Sequence, residues 1–309
     1  MVRIGVDVGG TKIAYGLFDD GGVLLDRRKD ATPIEADGPA LSALILDGVR
    51  ALIAANGVEE RELRGIGIGM PSFLLYDEGY VCMTSAMVNV RDFPMRDWFA
   101  RHIDVPVRID KDSNLAALAE LRYGAGRGSR NMIYMAVSTG IGCGLVLNGD
   151  VFRGSYGWAG EAGHMLITPD EGLECGCRNR GCFMSWASGR YIPQQLRIMG
   201  KGRRTVLDMN GALDGHALKQ AVDAGDALAL DFLDQMAHYI ALCCFNVYLL
   251  LNVNLFVFGG GLTNLGPALF DRVRAEFDRY NHVPKPVDFR IAELKQDFGI
   301  IGAAELVKD

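Results

Sequence analysis

The sequence predicts an α/β protein made of two similar halves. Apolar runs typical of buried strands alternate with amphipathic segments typical of helices. A strand, a glycine-rich turn and a second strand occur twice, at residues 2–18 and again at residues 132–147. The 309 residues, 49% of them hydrophobic, suffice for two domains, each with its own core. We therefore expect two lobes, each containing a sheet and helices, with a ligand cleft between them.

The residue pattern places each element in turn. Val2–Val8 and Ile13–Phe18 are predicted as the first two strands, and residues 19–22 turn the chain once more. A helix is predicted from Pro39 to about Asn56, because proline suits the first turn and the apolar residues fall on one face. Later strands are predicted at Gly65–Met70, Val105–Asp110, Met132–Val137, Gly144–Leu147 and Leu255–Phe258, and later helices at Ser113–Tyr123, Asp226–Leu251 and Pro267–Tyr280.

Composition argues against several classes of protein. With 38 acidic against 32 basic residues the net charge is −6, and the lack of a strong basic run argues against a nucleic-acid partner. The first residues do not have the pattern of an export signal, and the longest apolar stretch, Ile240–Leu251, is too short to span a bilayer. We expect a cytoplasmic protein without a membrane partner, whose seven cysteines are thiols or metal ligands rather than disulfides.

The first glycine-rich turn has the chemistry of a phosphate site. Asp7 lies near the end of a strand, Gly9 and Gly10 have no Cβ, and Thr11 and Lys12 carry a hydroxyl and an ammonium group. Backbone N–H groups in such a turn can approach a phosphate closely, while Thr11 and Lys12 donate to its oxygens. Asp7 can hold a magnesium ion, directly or through water. An ordinary hairpin turn is the alternative interpretation of this motif alone.

A second turn repeats this design. Residues 138–142 again lie between two strands, which favours an enclosed nucleoside triphosphate over two unrelated hairpins. Residues 259–261 are three glycines between a strand and a helix, and their position suits contact with the adenosine part of ATP. No Walker A pattern occurs, and no G-x-G-x-x-G follows a strand, which argues against P-loop and Rossmann sites. The candidate ATP contacts in these two segments are Thr139, Gly140, Gly142, Gly260 and Gly261.

One carboxylate stands between a predicted strand and a predicted helix. Asp112 follows the strand Val105–Asp110 and would project from the start of the helix Ser113–Tyr123. It could accept the proton of a substrate hydroxyl as that hydroxyl attacks a γ-phosphate. Aspartate and serine are also good helix-capping residues, so the spacing alone leaves a capping role equally open.

One histidine and three cysteines form a cluster in the sequence. His164, Cys175, Cys177 and Cys182 lie within 19 positions, and their number and type fit tetrahedral Cys₃His zinc, although the spacing is not that of a zinc finger. With four protein ligands the metal would have no open position, so its role would be structural, shaping the loop that carries Glu161. Core cysteines beside a hydrogen-bonded histidine are the alternative interpretation.

Together these motifs resemble those of a known family. The chain resembles, essentially from end to end, the ROK family of sugar kinases and related repressors, within the actin-like ATPase (ribonuclease H-like) fold. The most diagnostic match is residues 159–164, Ala-Gly-Glu-Ala-Gly-His, followed by Cys175-Gly176-Cys177 and Gly181-Cys182. Further matches lie at residues 7–12, 67–71, 112–114, 138–144, 259–261 and 299–304.

The resemblance implies a two-lobed α/β architecture, each lobe a mixed sheet flanked by helices, with a cleft between. We place the small N-terminal lobe at 1–117 plus 295–309 and the large lobe, with the zinc-binding loop, at 118–294. The family is often dimeric, so we also expect a homodimer.

The resemblance also implies a reaction and assigns roles. The γ-phosphate of ATP would pass, with magnesium, to a sugar hydroxyl, by family default the 6-hydroxyl. Asp112 matches the family's catalytic base, and Glu161 and His164 match its sugar-binding pair. His164 also matches the ligand that joins the three cysteines in a structural zinc site, and one histidine can do both through its two ring nitrogens.

Four positions depart from the family pattern around the sugar. Lys111 stands where Asn commonly precedes the catalytic aspartate, and Met184 where Glu commonly follows the last zinc cysteine. Ser72 replaces the glycine of a Pro-Gly turn, and Met87 aligns with a sugar-binding Asn that Asn89 could replace after a small shift. We therefore expect a sugar other than glucose, since changed polar contacts change the preferred substrate. A solvent-facing Lys111 is the alternative.

Two other functions compete with a kinase. A sugar-responsive repressor of this family carries an N-terminal winged helix-turn-helix, for which a first phosphate turn beginning at Asp7 leaves no room. A sugar-binding protein without catalysis is disfavoured by intact Asp7, Thr11 and Asp112. The sequence thus favours a kinase whose partners are a small-molecule sugar and ATP.

Overall fold

The computed structural model describes residues 1–283 and 285–308. The strands are β1 Val2–Val8, β2 Lys12–Phe18, β3 Leu24–Ala31, β4 Leu63–Met70, β5 Ser72–Leu75, β6 Tyr80–Thr84, β7 Arg91–Phe93, β8 Val107–Lys111, β9 Met132–Val137, β10 Ile141–Leu147, β11 Asp150–Val151, β12 Leu255–Gly259 and β13 Asp288–Ile291. The α-helices are α1 Gly38–Ala55, α2 Met95–Ala100, α3 Asp112–Tyr123, α4 Phe183–Ala187, α5 Ile192–Met199, α6 Gly215–Asp223, α7 Ala227–Leu251, α8 Pro267–Tyr280 and α9 Phe298–Glu305.

The chain divides into two compact units. Unit 1 contains residues 1–130, 144–159 and 293–309, and unit 2 contains residues 131–143 and 160–292. Two five-stranded sheets, in the orders β3-β2-β1-β4-β8 and β11-β10-β9-β12-β13, confirm the predicted α/β class. The predicted lobe boundaries, 1–117 plus 295–309 and 118–294, stay a prediction, because a compact unit need not coincide with a domain.

The sheet of unit 1 is mixed and buried. β2 pairs antiparallel with β1 and β3, whereas β4 pairs parallel with β1 and β8. Helix α1 packs Leu41, Ile45 and Val49 into the core of this unit. Helix α9 lies so close to the sheet that a Cβ on Gly67 would come within 1.7 Å of the Ala303 carbonyl oxygen. This contact explains why the sequence has glycine at position 67 of β4.

Unit 2 is built around a long central helix. β12 pairs parallel with both β9 and β13, and α7 buries twelve residues. Helices α1 and α7 are long and apolar enough to cross a membrane by length and composition, but 50% and 56% of their most apolar windows are buried within the fold. Core helices of globular proteins have the same properties, and α7 packs against α8 and α4.

The small third sheet and helix α9 are among the elements that the sequence analysis did not predict. The small sheet β5-β6-β7 has strands of four, five and three residues, too short for a clear alternating pattern. Helix α9 contains Gly299 and Gly302, which disfavour a helix locally. It forms because its small residues pack closely against the sheet and α3, so tertiary contact outweighs local propensity.

Candidate active site

The first phosphate turn, Gly9–Lys12, is a tight and exposed connection between β1 and β2. The Gly9 N–H donates to the Lys12 carbonyl at 2.9 Å, and the Thr32 hydroxyl donates to the Gly9 carbonyl at 2.6 Å. Gly10, Thr11 and Lys12 are exposed. The backbone of this turn is therefore fixed from within unit 1 while its hydroxyl and ammonium groups face outward, as a phosphate site requires.

Asp112 is the first residue of α3, not its N-cap. The cap position belongs to Lys111, whose side chain makes no capping hydrogen bond. Asp112 Oδ1 accepts the backbone N–H of Ser113 at 2.7 Å, so this carboxylate is oriented by the first turn of the helix. The positive end of a helix favours the ionised form of a carboxylate placed there.

Asp7 and Asp112 act on each other electrostatically. Burial raises the pKa of Asp7 to about 6, Asp112 adds to this shift, and Lys12 partly opposes it. Two neighbouring carboxylates that resist simultaneous ionisation are a donor set suited to Mg²⁺, which prefers carboxylate oxygens. Gly299 is needed beside them, because a Cβ there would lie 2.4 Å from Asp7 Cγ. The residues present therefore fit a divalent cation.

Lys111 is buried, so the solvent-facing alternative is wrong. Only 2% of its surface is exposed, and its Nζ donates to the Ala159 carbonyl at 2.7 Å. Behind it, Asp110 accepts from the Arg153 Nε at 2.8 Å and from the Asn114 amide at 2.7 Å. A polar network thus lies immediately next to the candidate base.

This network was missed by the sequence analysis. Arg153 lies 43 positions from Asp110, in an irregular loop with no periodicity to mark it. Its guanidinium carbon also lies 3.9 Å from the centre of the Tyr76 ring. The available signal was Asp110 itself, an acidic residue inside an otherwise buried strand, which requires a partner.

The other two polar candidates of unit 1 are already hydrogen-bonded. The Ser72 hydroxyl is buried and donates to the Met70 carbonyl at 3.3 Å. The Asn89 amide donates to the Glu35 carbonyl at 2.9 Å, in an exposed position. Neither contact tests the predicted role in sugar binding, which stays a prediction.

Unit 2 brings the four predicted zinc ligands together. One ligand atom each from His164, Cys175, Cys177 and Cys182 lies within 4.8 Å of all the others. His164 Nδ1 lies 3.5 Å from Cys175 Sγ, and Cys177 Sγ lies 3.5 Å from Cys182 Sγ. Zinc–sulfur bonds of about 2.3 Å in a tetrahedron place sulfurs about 3.8 Å apart. The geometry and the donor set therefore fit zinc, with His164 Nδ1 as the ligand atom.

The thiols of this cluster differ in acidity. Burial raises the pKa of Cys182 to about 12, and Cys177 and Cys175 add to the shift. Burial also opposes ionisation of Cys177, but hydrogen bonds from the Asn179 backbone and from the other two thiols outweigh it and lower the pKa of Cys177 to about 7. A thiolate is the form that binds metal, and the lowered pKa of Cys177 makes that form more accessible.

The segment 161–164 and Met184 lie next to each other in unit 2. Glu161 is half-buried and immediately precedes a single turn of 3₁₀-helix, Ala162–His164. A Cβ on Gly163 would lie 2.7 Å from Met184 Cε, and one on Gly140 would lie 3.9 Å from the same atom. Met184 therefore packs between the predicted sugar-binding segment and the second phosphate turn.

The second phosphate turn, Ser138–Gly142, is adjacent to the three glycines that end β12. The Ser138 N–H donates to the Gly140 carbonyl at 2.9 Å, and Thr139 is exposed. Gly260 has φ +88°, and a Cβ there would lie 2.5 Å from the Val137 carbonyl oxygen, so only glycine fits. Unit 2 thus brings the two predicted ATP segments together, with exposed backbone.

Comparison with known proteins gives the family. A model of the ROK family matches residues 3–309, so this chain belongs to the ROK family, as the motifs predicted. It is 34% identical over 315 residues to a glucokinase of Halalkalibacterium halodurans, covering 99% of this chain and 94% of that protein. It is 31% identical to an N-acetylmannosamine kinase of Vibrio vulnificus over 98% of this chain and 97% of that protein. A xylose repressor of Bacillus subtilis is 26% identical over 99% of this chain and 77% of the repressor.

Solved structures of ROK proteins are similar to this chain. A ROK hexokinase from Thermus thermophilus superposes with a TM-score of 0.85 at 31% identity, covering 98% of this chain and 97% of that one. A ROK glucokinase from Streptomyces griseus, in complex with glucose and AMPPNP, gives a TM-score of 0.78 at 29% identity and covers 99% of both chains. These likenesses confirm the predicted actin-like ATPase fold class.

Proposed function

We propose that this protein is an ATP-dependent sugar kinase, which transfers the γ-phosphoryl group of ATP to a hydroxyl of a hexose or hexose derivative. The observation that carries the proposal is the pair Asp7 and Asp112 beside an exposed phosphate turn, in a chain of the ROK family. The glucokinase, hexokinase and N-acetylmannosamine kinase relatives support the reaction class. The acceptor hydroxyl is the one at position 6.

In this mechanism Asp112 is the general base. Its carboxylate takes the proton of the sugar hydroxyl as the hydroxyl oxygen bonds to the γ-phosphorus, and the bond to the β–γ bridging oxygen breaks to release ADP. The Ser113 N–H orients the carboxylate for this task. Lys12 and Thr11 donate to phosphate oxygens from the first turn, and the second turn, with Gly260 and Gly261, binds the rest of the nucleotide.

Two metals belong to the proposal. Asp7, with Asp112 nearby, would hold Mg²⁺, which would neutralise charge on the phosphoryl group. Zinc on His164, Cys175, Cys177 and Cys182 is structural, because four protein ligands fill a tetrahedral site. Coordination through Nδ1 would leave Nε2 of His164 for a sugar hydroxyl, beside Glu161.

The preferred sugar is proposed to differ from glucose. Met184 places a thioether, where the family pattern has Glu, between Gly163 and Gly140. Such a neighbour suits a sugar with another stereochemistry or a less polar substituent, because a lost polar contact changes which hydroxyls are recognised. Ser72 and Asn89 are proposed as further contacts that tune this preference.

A sugar panel tests the function. Purified protein is incubated with ATP, Mg²⁺ and each of glucose, N-acetylglucosamine, N-acetylmannosamine, mannose, fructose and allose, and ADP release is measured. Phosphorylation of at least one sugar is expected, with NMR of the product showing the phosphate on the 6-hydroxyl. Glucose as clearly the best substrate would contradict the unusual-sugar proposal, and no turnover on any sugar would favour a non-catalytic sugar-binding protein or a repressor.

A homodimer is also proposed. Leu249 and Leu250, at the end of α7, are 60% and 81% exposed, an apolar pair that an interface between copies would cover. Light scattering of the purified protein at micromolar concentration measures the mass directly, and a mass of one chain would contradict the proposal.

A further inference from the structure

Lys111 occupies a position in which an ammonium group is costly. It ends β8, immediately before the candidate base Asp112, and is only 2% exposed. Removing an ammonium group from water is strongly unfavourable unless hydrogen bonds compensate it. The contact made by its Nζ with the Ala159 carbonyl at 2.7 Å is such a bond, and charge assistance makes it stronger than a neutral one.

Ala159 is the last residue of the loop 153–159, and Asp110, the residue before Lys111, binds the first residue of this loop. Asp110 is 1% exposed and accepts the Arg153 Nε at 2.8 Å, while the Ala159 N–H donates to the Arg153 carbonyl at 3.0 Å. Residues 153–159, here called the tethered loop, are therefore closed upon themselves. Two consecutive residues of β8 hold the loop, Asp110 by its first residue and Lys111 by its last.

The C-terminal end of the tethered loop is also attached to the small sheet. The Trp158 indole N–H donates to the Leu74 carbonyl at 3.1 Å, and its ring meets the Phe73 ring edge to face at 5.7 Å between centroids. A Cβ on Gly157 would lie 2.7 Å from the same Leu74 carbonyl. Trp158 therefore holds the residue before the exit, and the hydrogen bond from Lys111 holds the carbonyl of Ala159, the exit residue itself.

The exit of the loop leads directly into the candidate sugar-binding segment. Ala159 is two residues before Glu161, and two residues span at most about 7 Å, so a fixed Ala159 carbonyl restricts where Glu161 can lie. We propose that Lys111 is a positioning residue for sugar binding: it holds the loop exit through Ala159 and thereby sets the start of the Glu161–His164 segment. This inference rests on the proposed kinase function.

The proposal predicts which kinetic constant changes. Loss of the hydrogen bond from Lys111 to Ala159 should make Glu161 more mobile and weaken sugar binding. It should leave Asp112 and the ATP contacts in place. We therefore expect an increase in KM for the sugar with little change in kcat or in KM for ATP. A lysine that acted directly on Asp112 or on the phosphoryl group would instead change kcat.

The test uses Lys111→Met, which keeps the apolar stem and removes the ammonium group. We expect KM for the best sugar to rise about tenfold or more, with kcat and KM for ATP within about threefold of wild type. Hydrogen exchange of residues 153–161 should become faster, while zinc content stays unchanged. Arg108→Met is the matched control, because Arg108 is an exposed cation on the same strand, and it should change none of these values.

A second variant guards against general destabilisation. Lys111→Arg keeps a cationic donor and should restore sugar KM and exchange at 153–161 toward wild type. The proposal is overturned if Lys111→Met leaves both sugar KM and exchange unchanged, or if it lowers kcat with sugar KM unaffected. If the wild-type protein phosphorylates no sugar, the kinase proposal fails, and hydrogen exchange together with sugar affinity by calorimetry still decides whether Lys111 fixes the loop.

Discussion

The two units contribute functional groups of opposite character. In unit 1, Asp7 lies near the end of the regular strand β1 and Asp112 at the start of helix α3, where the Ser113 N–H donates to the Asp112 carboxylate. In unit 2 His164 and the three cysteines lie in a stretch with little regular structure, between β10 and α4. The fold positions the two carboxylates, whereas the histidine and the cysteines would stabilise the loop around them once they bind a metal.

This difference separates chemistry from stability. Burial and the neighbouring Asp112 make the ionised form of Asp7 costly in free energy, and a bound cation or a proton offsets that cost. Thiolates and imidazole around zinc do the opposite, because the free energy of metal binding becomes free energy of folding. Changes to these two carboxylates should therefore alter turnover and stabilise or spare the fold, and changes in the cluster should weaken the fold.

The largest expected effect is loss of the metal. Cys177→Ser removes one of four ligands, and since a structural zinc site can contribute about 10 kcal/mol in small domains, we expect the zinc to be lost and the thermal midpoint to fall by several degrees. Metal analysis should find about one zinc per chain in the wild type and far less in the variant. Cys82→Ser, a half-buried cysteine outside the cluster, is the control. A wild-type protein that is metal-free, stable and active would contradict the site.

The next effect is on turnover alone. Asp112→Asn keeps the shape and the hydrogen bond from Ser113 but removes the base, so kcat should fall about 100-fold or more while sugar affinity, measured by calorimetry, persists. Asp104→Asn, an exposed aspartate just before β8, should leave kcat unchanged. Normal turnover in Asp112→Asn would remove this residue from the mechanism.

A smaller effect is expected at Asp7, where substitution should increase the stability of the folded protein, in contrast to the loss expected for Cys177→Ser. Its pKa in the folded protein, about 6, lies above the ordinary value of 3.8, so the folded state binds this proton more tightly than the unfolded state. Protonation of Asp7 therefore stabilises the folded state. This stabilisation is complete below about pH 4 and is lost as the pH rises through about 6. Near pH 7 the ionised carboxylate therefore costs on the order of 2 to 3 kcal/mol.

Asp7→Asn removes this cost. Without Mg²⁺ the variant should unfold at a higher temperature than wild type at pH 7, and the two should converge at pH 4. Added Mg²⁺ should stabilise the wild type and not the variant. A variant that is less stable at pH 7, or a difference that persists at pH 4, would contradict the electrostatic origin.

The same contrast explains what could be predicted from the sequence. The phosphate turn at 9–12 and the cysteine cluster are local patterns, since turn chemistry and ligand spacing can be seen within 20 residues. The partnership of Asp110 with Arg153 and that of Lys111 with Ala159 join a strand to a distant irregular loop, which no local pattern records. Burial of Lys111 was hidden for the same reason, because lysine is mostly exposed and only the fold supplies its acceptor.

The smallest effect is expected at Met184, one of the positions that depart from the family pattern. Met184 packs next to Gly163 and is not one of the four residues of the metal cluster. Met184→Glu should therefore change the sugar preference and leave the zinc content unchanged. A carboxylate there offers a hydroxyl a partner that the thioether does not, and we expect the ratio of kcat/KM values between two sugars of the panel to shift about tenfold, toward the sugar with the additional hydroxyl.

Met184→Leu separates polarity from size. This control keeps an apolar side chain of similar volume and should leave the ratio within about threefold of wild type. If both variants shift the ratio equally, packing against Gly163 rather than polarity governs the choice of sugar. If Met184→Glu leaves the ratio unchanged while zinc and stability are intact, selectivity lies instead in unit 1, with Ser72 and Asn89 as the remaining candidates. Unit 1 would then determine both the chemistry and the choice of sugar, and unit 2 would supply the metal-stabilised scaffold.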